Sequence, residues 1–401
     1  MRAIELFAGA GGLGIGVSRA GFKAAQVIEW DKYCCDTIRE NKNRKLAPIA
    51  DWPLFEGDVR DFDFRLFEDK IELVAGGPPC QPFSVGGKHR AFDDVRDMFP
   101  EAVRAVRQVR PQAFIFENVK GLTRTTFSNY YEYVYLQLSY PELLRRVGED
   151  WGDHLSRLEK YHTGKKRSIG LEYRVVRRVL NAANYGVAQK RERVFLVGFR
   201  ADLGIEWSFP EETHSLDALI WEQCVSTAYW EQHKVPKRKR VIPHSYKQRV
   251  RRLFDEPITQ PWRTVRDVVG DLPDPEHQPM LSGMYLNHNF QAGARTYPGH
   301  TGSPIDEPAK TLKAGVHGVP GGENMMVMPY GTTRYFTVRE SARLQTFPDE
   351  FVFHGSWTET MRQLGNAVPV GLANAVASSV KLQLMGVTGT RGARNRVRVA
   401  G

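Results

Sequence analysis

The segment Gly76-Gly77-Pro78-Pro79-Cys80-Gln81-Pro82-Phe83-Ser84 is the part of this 401-residue sequence whose residue types most plainly suggest chemistry. It follows the apolar run 71–75, which places Cys80 at the C-terminal end of a strand. Free cysteine is usually a small buried hydrophobe. Three prolines within five residues make a poor core strand, however, and they present the thiol rigidly toward a crevice. A thiol held there as thiolate is a nucleophile. A second group of residues describes a binding site. Gly9-Ala10-Gly11-Gly12-Leu13-Gly14 satisfies G-x-G-x-x-G directly after a strand and at the start of a helix, where glycines permit a tight turn and close backbone approach to a ligand. Glu29 ends the second strand, where a carboxylate accepts from both ribose hydroxyls, and Trp30 beside it offers a face for an adenine ring. Asp58, in Gly57-Asp58-Val59, is placed by the same logic at a third strand end. These residues outline a pocket for an adenine nucleoside, without separating a dinucleotide from S-adenosylmethionine.

The elements that must position these groups alternate between strand and helix. Residues 3–7, 23–30, 71–75, 113–116 and 193–199 read as strands, several of them short continuous apolar runs of the kind that buried parallel strands show. Leu13, Val17 and Ala20 share one helical face, residues 32–41 read as helix, and Phe99, Val103 and Val106 repeat a helical spacing. This alternation predicts an α/β fold: a doubly wound, mostly parallel sheet with helices on both faces. From about 203 to 357 proline, glycine, histidine and arginine are frequent and no helix period is sustained, which predicts a second, smaller and irregular domain. Pro369 and the spacing Leu372, Val376, Val380 then indicate a return helix within 358–386 that completes the first domain, residues 1–202. The basic tail 387–401 is read as disordered.

Length alone predicts about two domains. No apolar run reaches 18 residues, so a membrane span is not expected. The N-terminal stretch 3–17 contains Glu5 and five glycines and does not read as a signal peptide. Four cysteines, Cys34, Cys35, Cys80 and Cys224, form no CxxC pair, so neither a disulfide framework nor a metal site is expected. A cytoplasmic location follows. The formal net charge is +10, and much of it is local: residues 231–252 hold nine Lys/Arg and one acid. Arg391, Arg394, Arg396 and Arg398 form a second cluster. Concentrated positive charge is the footprint of a polyanion partner.

Eight segments together resemble, in order, those of the DNA (cytosine-5)-methyltransferase family in its bacterial restriction-modification form. They are 6–13, Glu29-Trp30, 57–59, 76–84, Phe116-Glu117-Asn118-Val119, Gln189-Lys190-Arg191-Glu192-Arg193, 334–349 and 363–370. Residues 120–180 and 200–330 carry no clear signature, and the stretch between Val119 and Gln189 is longer than compact members need. The resemblance implies methyl transfer from S-adenosylmethionine, leaving S-adenosylhomocysteine, to carbon 5 of a cytosine flipped out of double-stranded DNA. Cys80 would add to carbon 6. Glu117 would hydrogen-bond ring nitrogen 3 and the exocyclic amine, a role best served by a raised pKa. Arg193, and more loosely Arg191, would touch the base carbonyl and hold the catalytic loop. The cofactor would lie against Phe7, Gly9, Gly11, Gly12, Leu13, Glu29, Trp30, Asp58, Val59, Pro78, Asn366 and Val368.

The DNA-binding residues implied are Ser84, Lys88 and Arg90, on a loop 84–97 with Gly86 and Gly87 as hinges, the basic run Lys237, Arg238, Lys239 and Arg240, and Thr311 of a Thr-Leu pair near the end of the recognition domain. Asn287, Asn289, Arg295 and the loop 317–322 are candidates for reading bases. Five tyrosines at 130, 131, 133, 135 and 140 fit an aromatic patch burying an insertion better than a nucleic-acid surface. The layout implies a monomer, with any cognate restriction endonuclease acting separately. A transfer RNA cytosine methyltransferase is the alternative, but the Cys-Phe-Thr signature of those relatives is absent. A nicotinamide dehydrogenase would leave Cys80 and Glu117 unexplained. A zinc deaminase would need H-x-E and P-C-x-x-C, neither of which occurs.

Overall fold

Short apolar runs separated by helical spacing assemble into one seven-stranded sheet. The strands are β1 (Arg2–Leu6), β2 (Lys23–Glu29), β3 (Leu54–Glu56), β4 (Leu73–Gly76), β5 (Ala113–Val119), β6 (Tyr173–Asn181) and, after the two-residue β7 (Gln189–Lys190), β8 (Glu192–Arg200). The order is β3-β2-β1-β4-β5-β8-β6. The first five run parallel, whereas β8 is antiparallel to both of its neighbours. The expected mostly parallel sheet is therefore present. Its order reverses direction between β1 and β4, and in open α/β sheets the crevice at such a reversal, beyond the strands' C-terminal ends, is where ligands bind. The glycine turn after β1 and the proline segment after β4 both open there. The computed structural model describes residues 1–79, 97–164, 170–298, 301–314 and 324–399. Cys80, Ser84, Lys88 and Arg90, most of the 84–97 loop and the 317–322 loop lie outside the described residues.

Five helices accompany the first part of the chain: α1 (Gly12–Arg19), α2 (Lys32–Asn43), α3 (Phe99–Val109), α4 (Ser128–Ser139) and α5 (Trp151–Thr163). The residues predicted to share the α3 face, Phe99, Val103 and Val106, are buried on the sheet together with Phe114, Phe116 and Tyr130. Helices α4 and α5 form the insertion, closed by Tyr133, Leu136, Leu155 and Leu158. The tyrosines pack there as the composition suggested: Tyr130 and Tyr133 are buried, and Arg177 lies over the rings of Tyr131 and Tyr135 at 4.6 and 4.4 Å.

The second region contains strands β9 (His214–Ser215), β10 (Gln260–Pro261), β11 (Ser303–Pro304), β12 (Ala309–Lys310), β13 (Met325–Val327) and β14 (Thr333–Tyr335). It is less irregular than expected, because short helices intervene: α6 (Leu216–Cys224), α7 (Ala228–Gln232), α8 (His244–Arg249), α9 (Val265–Val269), α10 (Pro279–Ser282) and α11 (Val338–Leu344). Too short to show a sustained period, α6 and α9 are capped by Ser215 and Thr264, α6–α8 share a local core of Leu219, Ile220, Tyr229, Trp230, Val235 and Tyr246, and α9 and α11 pack with Ile305, Leu312, Met326 and Phe336. The return to the first domain is made by two helices, α12 (Trp357–Asn366) and α13 (Val370–Val399). Leu372, Val376 and Val380 pack with Leu13 and Val17 of α1. Helix α13 continues to Val399, beyond residue 386 where the sequence reading ended it and into the tail read as disordered. Gly386, Gly389 and Gly392, whose low helix propensity suggested a tail, lie within this helix.

Candidate active site

The turn after β1 is held in a conformation that its residue types explain. Gly9 and Gly11 have φ of 57° and 87°, the left-handed region open to glycine. Phe7 takes φ 56°, uncommon for an aromatic residue, and such strain gathers at functional sites. Close packing excludes side chains from the turn: a Cβ on Gly11 would meet the Trp52 ring at 2.7 Å, and one on Gly12 would meet the Val368 carbonyl oxygen at 2.4 Å. Gly11 caps α1 without a side chain, so no capping side chain stands over the start of that helix. Leu13 and Val59 are buried, Asn366 is exposed, and Trp30 is 68 % exposed, its ring free to stack.

Two acids expected to meet ribose are already engaged. Glu29 accepts from the backbone N–H groups of Gly9 at 2.6 Å, Trp30 at 2.9 Å and Asp31 at 2.8 Å. Three of a carboxylate's roughly four acceptor positions thus clamp the turn, a role the motif alone did not reveal. Asp58 accepts from the Arg60 backbone and guanidinium, which hold its carboxyl below the usual range. The sequence also gave no sign of Arg362, whose Nη2 lies 2.9 Å from Asp31 and ties α12 to the corner at Glu29.

At the neighbouring strand ends, the Asn118 amide donates to the Pro78 carbonyl at 2.9 Å and fixes the start of the proline segment. The chain re-enters the described residues beside its point of departure, where Met98 N donates to the Pro79 carbonyl at 3.1 Å. Phe195 pairs with Glu117 across the ladder, so Arg193, two positions away, shares its face. Arg193 Nε lies 2.8 Å from Glu117 Oε1. The N–H does not point along that line, and the buried oxygen accepts no hydrogen bond from the protein. Burial raises the Glu117 carboxyl above its usual range against the pull of Arg193 and Arg191. A Cβ on Gly77 would stand 3.4 Å from Glu117 Oε2, so the carboxyl faces the segment leading three residues on to Cys80. Asn118 belonged to a recognised motif, but nothing in the sequence showed which backbone group it would hold.

Arg191 requires a correction. It is fully buried, and its guanidinium donates to the carbonyls of Leu312 at 2.9 Å, Gly365 at 2.7 Å and Ala367 at 2.9 Å. With its donors directed at backbone it does not face a base; it joins the end of the second region to the α12–α13 junction. Thr311, expected at DNA, donates its hydroxyl to the Lys190 carbonyl at 2.7 Å and belongs to the same seam, where β12 pairs with β7. Asn287 is likewise occupied, its side chain exchanging hydrogen bonds with the backbone of Phe353 at 2.8 and 3.1 Å. Asn289 and Arg295 are exposed.

The basic run divides in two. Lys237 and Arg238 are exposed at a 3-10 turn, whereas Lys239 Nζ lies 5.3 Å over the Tyr330 ring and the Arg240 guanidinium 6.0 Å over Trp230. Among the described residues no group of three or more His, Cys, Asp or Glu is placed to hold a metal ion.

The family model described as C-5 cytosine-specific DNA methylase matches residues 1–140 and 160–382. The interval it omits falls on the α4–α5 insertion. The chain is 34 % identical over 390 residues to the type II methyltransferase M.Eco47II of Escherichia coli, covering 94 % of this chain and 78 % of that protein. It is 29 % identical to M.NgoMIV of Neisseria gonorrhoeae, covering 94 % and 96 %. Among solved structures, a prophage-encoded DNA modification methyltransferase of E. coli superimposes with TM-score 0.60 at 19 % identity, covering 96 % of this chain and 99 % of that one. The Dnmt2 methyltransferase of S. pombe gives 0.54 at 16 % identity, over 96 % and 99 %.

Proposed function

The chain belongs to the C-5 cytosine-specific DNA methylase family and is a DNA (cytosine-5)-methyltransferase, and we propose how its own residues carry that reaction. The observation that supports the assignment best is the Glu117 carboxyl, held by Arg193, standing beside the Gly77 backbone three residues before Cys80.

Carbon 5 of cytosine is a poor nucleophile. The Cys80 thiolate therefore adds to carbon 6, and the electrons pushed into the ring make carbon 5 reactive. Glu117, whose carboxyl burial pushes toward its protonated form, donates toward ring nitrogen 3 so that the adduct does not accumulate negative charge. Arg193 holds that carboxyl and reaches toward the base carbonyl. When bound, S-adenosylmethionine supplies a methyl group on a positively charged sulfur, and S-adenosylhomocysteine remains afterwards. The residues present fit that cofactor: left-handed glycines close the turn, Gly11 caps α1 without a side chain, and Trp30 stands exposed beside Glu29. Loss of the carbon 5 proton then lets the thiolate leave.

The target base must leave the duplex, at a cost of a few kcal/mol. Contacts to double-stranded DNA from Lys237 and Arg238, and from Ser84, Lys88 and Arg90, would offset it. No described helix is long and apolar enough to cross a membrane. The matched relatives named above are bacterial methyltransferases called type II. A monomer acting on cytoplasmic DNA, beside a separately acting endonuclease, is the arrangement this supports.

Bisulfite sequencing of DNA from a methylation-free host expressing the protein, beside a Cys80→Ala control, tests the reading. Protected cytosines should recur at one short sequence and vanish in the control. Complete conversion with soluble protein present would overturn it in favour of an RNA substrate or an inactive binder.

A further inference from the structure

Glu5 lies in the middle of β1, between Ile4 and Leu6, both without exposed surface, and is itself only 6 % exposed. No side chain pairs with either carboxyl oxygen, and the one group that approaches them is the Gly14 amide in the first turn of α1. The acid sits directly below the first turn of α1: a Cβ on Gly14 would stand 1.9 Å from Glu5 Oε2, so only glycine at position 14 leaves room for the carboxyl. The remaining space around it is a cavity of about 10 Å³ lined by Val17, Ser18, Ala24, Trp52 and Ala75, room for no more than one water. Among these neighbours α1, β4 and the Trp52 segment bring no ionisable side chain. From β2 comes Glu29, whose like charge acts on Glu5. No cation is on hand to compensate an ionised Glu5.

A buried carboxyl whose one partner is a neutral amide is itself neutral when its other surroundings are neutral or negative. Burial, with the Glu29 charge added and only the Gly14 amide opposing, pushes Glu5 up to about 8. This proton is therefore poised near neutrality, and it lies beneath the turn on which the proposed cofactor rests.

We propose that Glu5 is a charge-sensing positioning residue for the cofactor: its carboxyl is protonated when the site is empty or holds the neutral thioether product, and gives up its proton to solvent when a sulfonium cation occupies the turn above. The inference rests on the S-adenosylmethionine reading of that turn. By linkage the two events favour each other, so an ionised Glu5 strengthens binding of the cation, and loss of the positive charge after methyl transfer returns the proton and loosens the product. A unit charge within about 10 Å, at an effective permittivity near 20, shifts such an equilibrium on the order of tenfold.

The test is calorimetric binding of S-adenosylmethionine and of S-adenosylhomocysteine to the full chain from pH 6.5 to 9, in buffers of different ionisation enthalpy, which counts protons released. The sulfonium lowers the pKa of the ligand's own ammonium relative to the thioether, so the ligand's titration is measured with Glu5→Gln and subtracted. Near pH 7.5 the wild type should release more protons on binding S-adenosylmethionine than Glu5→Gln does, while the two proteins should agree for the thioether, and the affinity ratio of wild type to variant for S-adenosylmethionine should rise severalfold toward pH 9. Glu5→Gln is isosteric with the neutral acid and therefore expected to fold. Equal release by wild type and Glu5→Gln on binding S-adenosylmethionine, which would assign the proton to Glu29 or to the ligand, overturns the proposal. An infrared difference spectrum of the wild type provides a second reading: a protonated-carboxyl band should be lost on adding S-adenosylmethionine and kept with the thioether, and its absence before ligand is added also overturns it. Failure of the wild type to bind either ligand would instead refute the cofactor reading.

Discussion

Arg193 Nε lies 2.8 Å from Glu117 Oε1 in a site where both side chains are almost wholly shut from solvent, yet that oxygen accepts no hydrogen bond. The arginine supplies charge at short range while the carboxyl keeps its hydrogen-bonding capacity, and burial raises its pKa. On the proposed mechanism Glu117 in its protonated form donates to the base rather than serving as half of a closed ion pair. Glu117→Gln keeps the shape and removes the transferable proton. Single-turnover methylation should fall by about 10²–10⁴, with DNA and cofactor affinity changed only a few-fold. The wild-type rate should decline as pH rises through the raised pKa of Glu117, since the protonated form is the active one, and the variant should lose that limb. A variant rate within threefold of wild type would remove Glu117 from the chemistry.

Arg191 and Arg193 sit two residues apart in one motif but should fail differently. Arg191→Lys leaves buried carbonyls of Leu312, Gly365 and Ala367 short of donors. Unsatisfied buried polar groups cost about 1–3 kcal/mol each, so urea unfolding should show a loss of at least ~2 kcal/mol. Arg193→Lys should unfold near the wild-type midpoint and lose turnover instead. Equal stability losses would mean that the two arginines share one role.

Much of the catalytic half was legible because its signals are local. An apolar run ending in Gly76-Gly77-Pro78-Pro79 states both strand and turn, and the glycines after β1 state the left-handed turn that follows it. Partner choice was not legible. Nothing in Gln-Lys-Arg-Glu-Arg shows that Arg191 meets Leu312, 121 positions away, while Arg193 turns to Glu117. Thr311 and Asn287 were misread for the same reason: a polar side chain in a loop-rich region looks free until a distant backbone group comes up to it. The small helices α6–α9 and α11 escaped because individual caps and two small apolar clusters, rather than a repeating period, hold them.

The division of the basic run gives a prediction about DNA. Lys237 and Arg238 are exposed, whereas Lys239 and Arg240 lie over aromatic rings that partly occupy their charge. Alanine at 237 or 238 should weaken binding to any duplex and reduce the slope of log affinity against log salt by roughly one each. Alanine at 239 or 240 should change that slope less and lower thermal stability more. Fluorescence anisotropy over a salt series distinguishes the positions, and a uniform effect at all four would refute the division.

The insertion carries its own pH response. His154 is buried between α4 and α5, with Nδ1 2.8 Å from the Tyr133 hydroxyl and Nε2 2.8 Å from the Leu143 carbonyl. One tautomer satisfies both contacts, Nε2 donating to the carbonyl and Nδ1 accepting from the phenol. A second proton on the ring would reverse the tyrosine contact and leave the phenol proton without its acceptor in a buried site, and burial lowers the His154 pKa. The histidine therefore supports the α4–α5 packing fully above the unfolded value near 6.5, and that support is lost as pH falls through the lower folded value. Hydrogen exchange in α5 should accelerate severalfold beyond the intrinsic rate change between pH 7.5 and 5.5, while β1, β4 and β5 stay protected. His154→Gln, which offers an acceptor and a donor without titrating, should flatten that response. Equal acceleration in wild type and variant would show that another group loosens the insertion in acid.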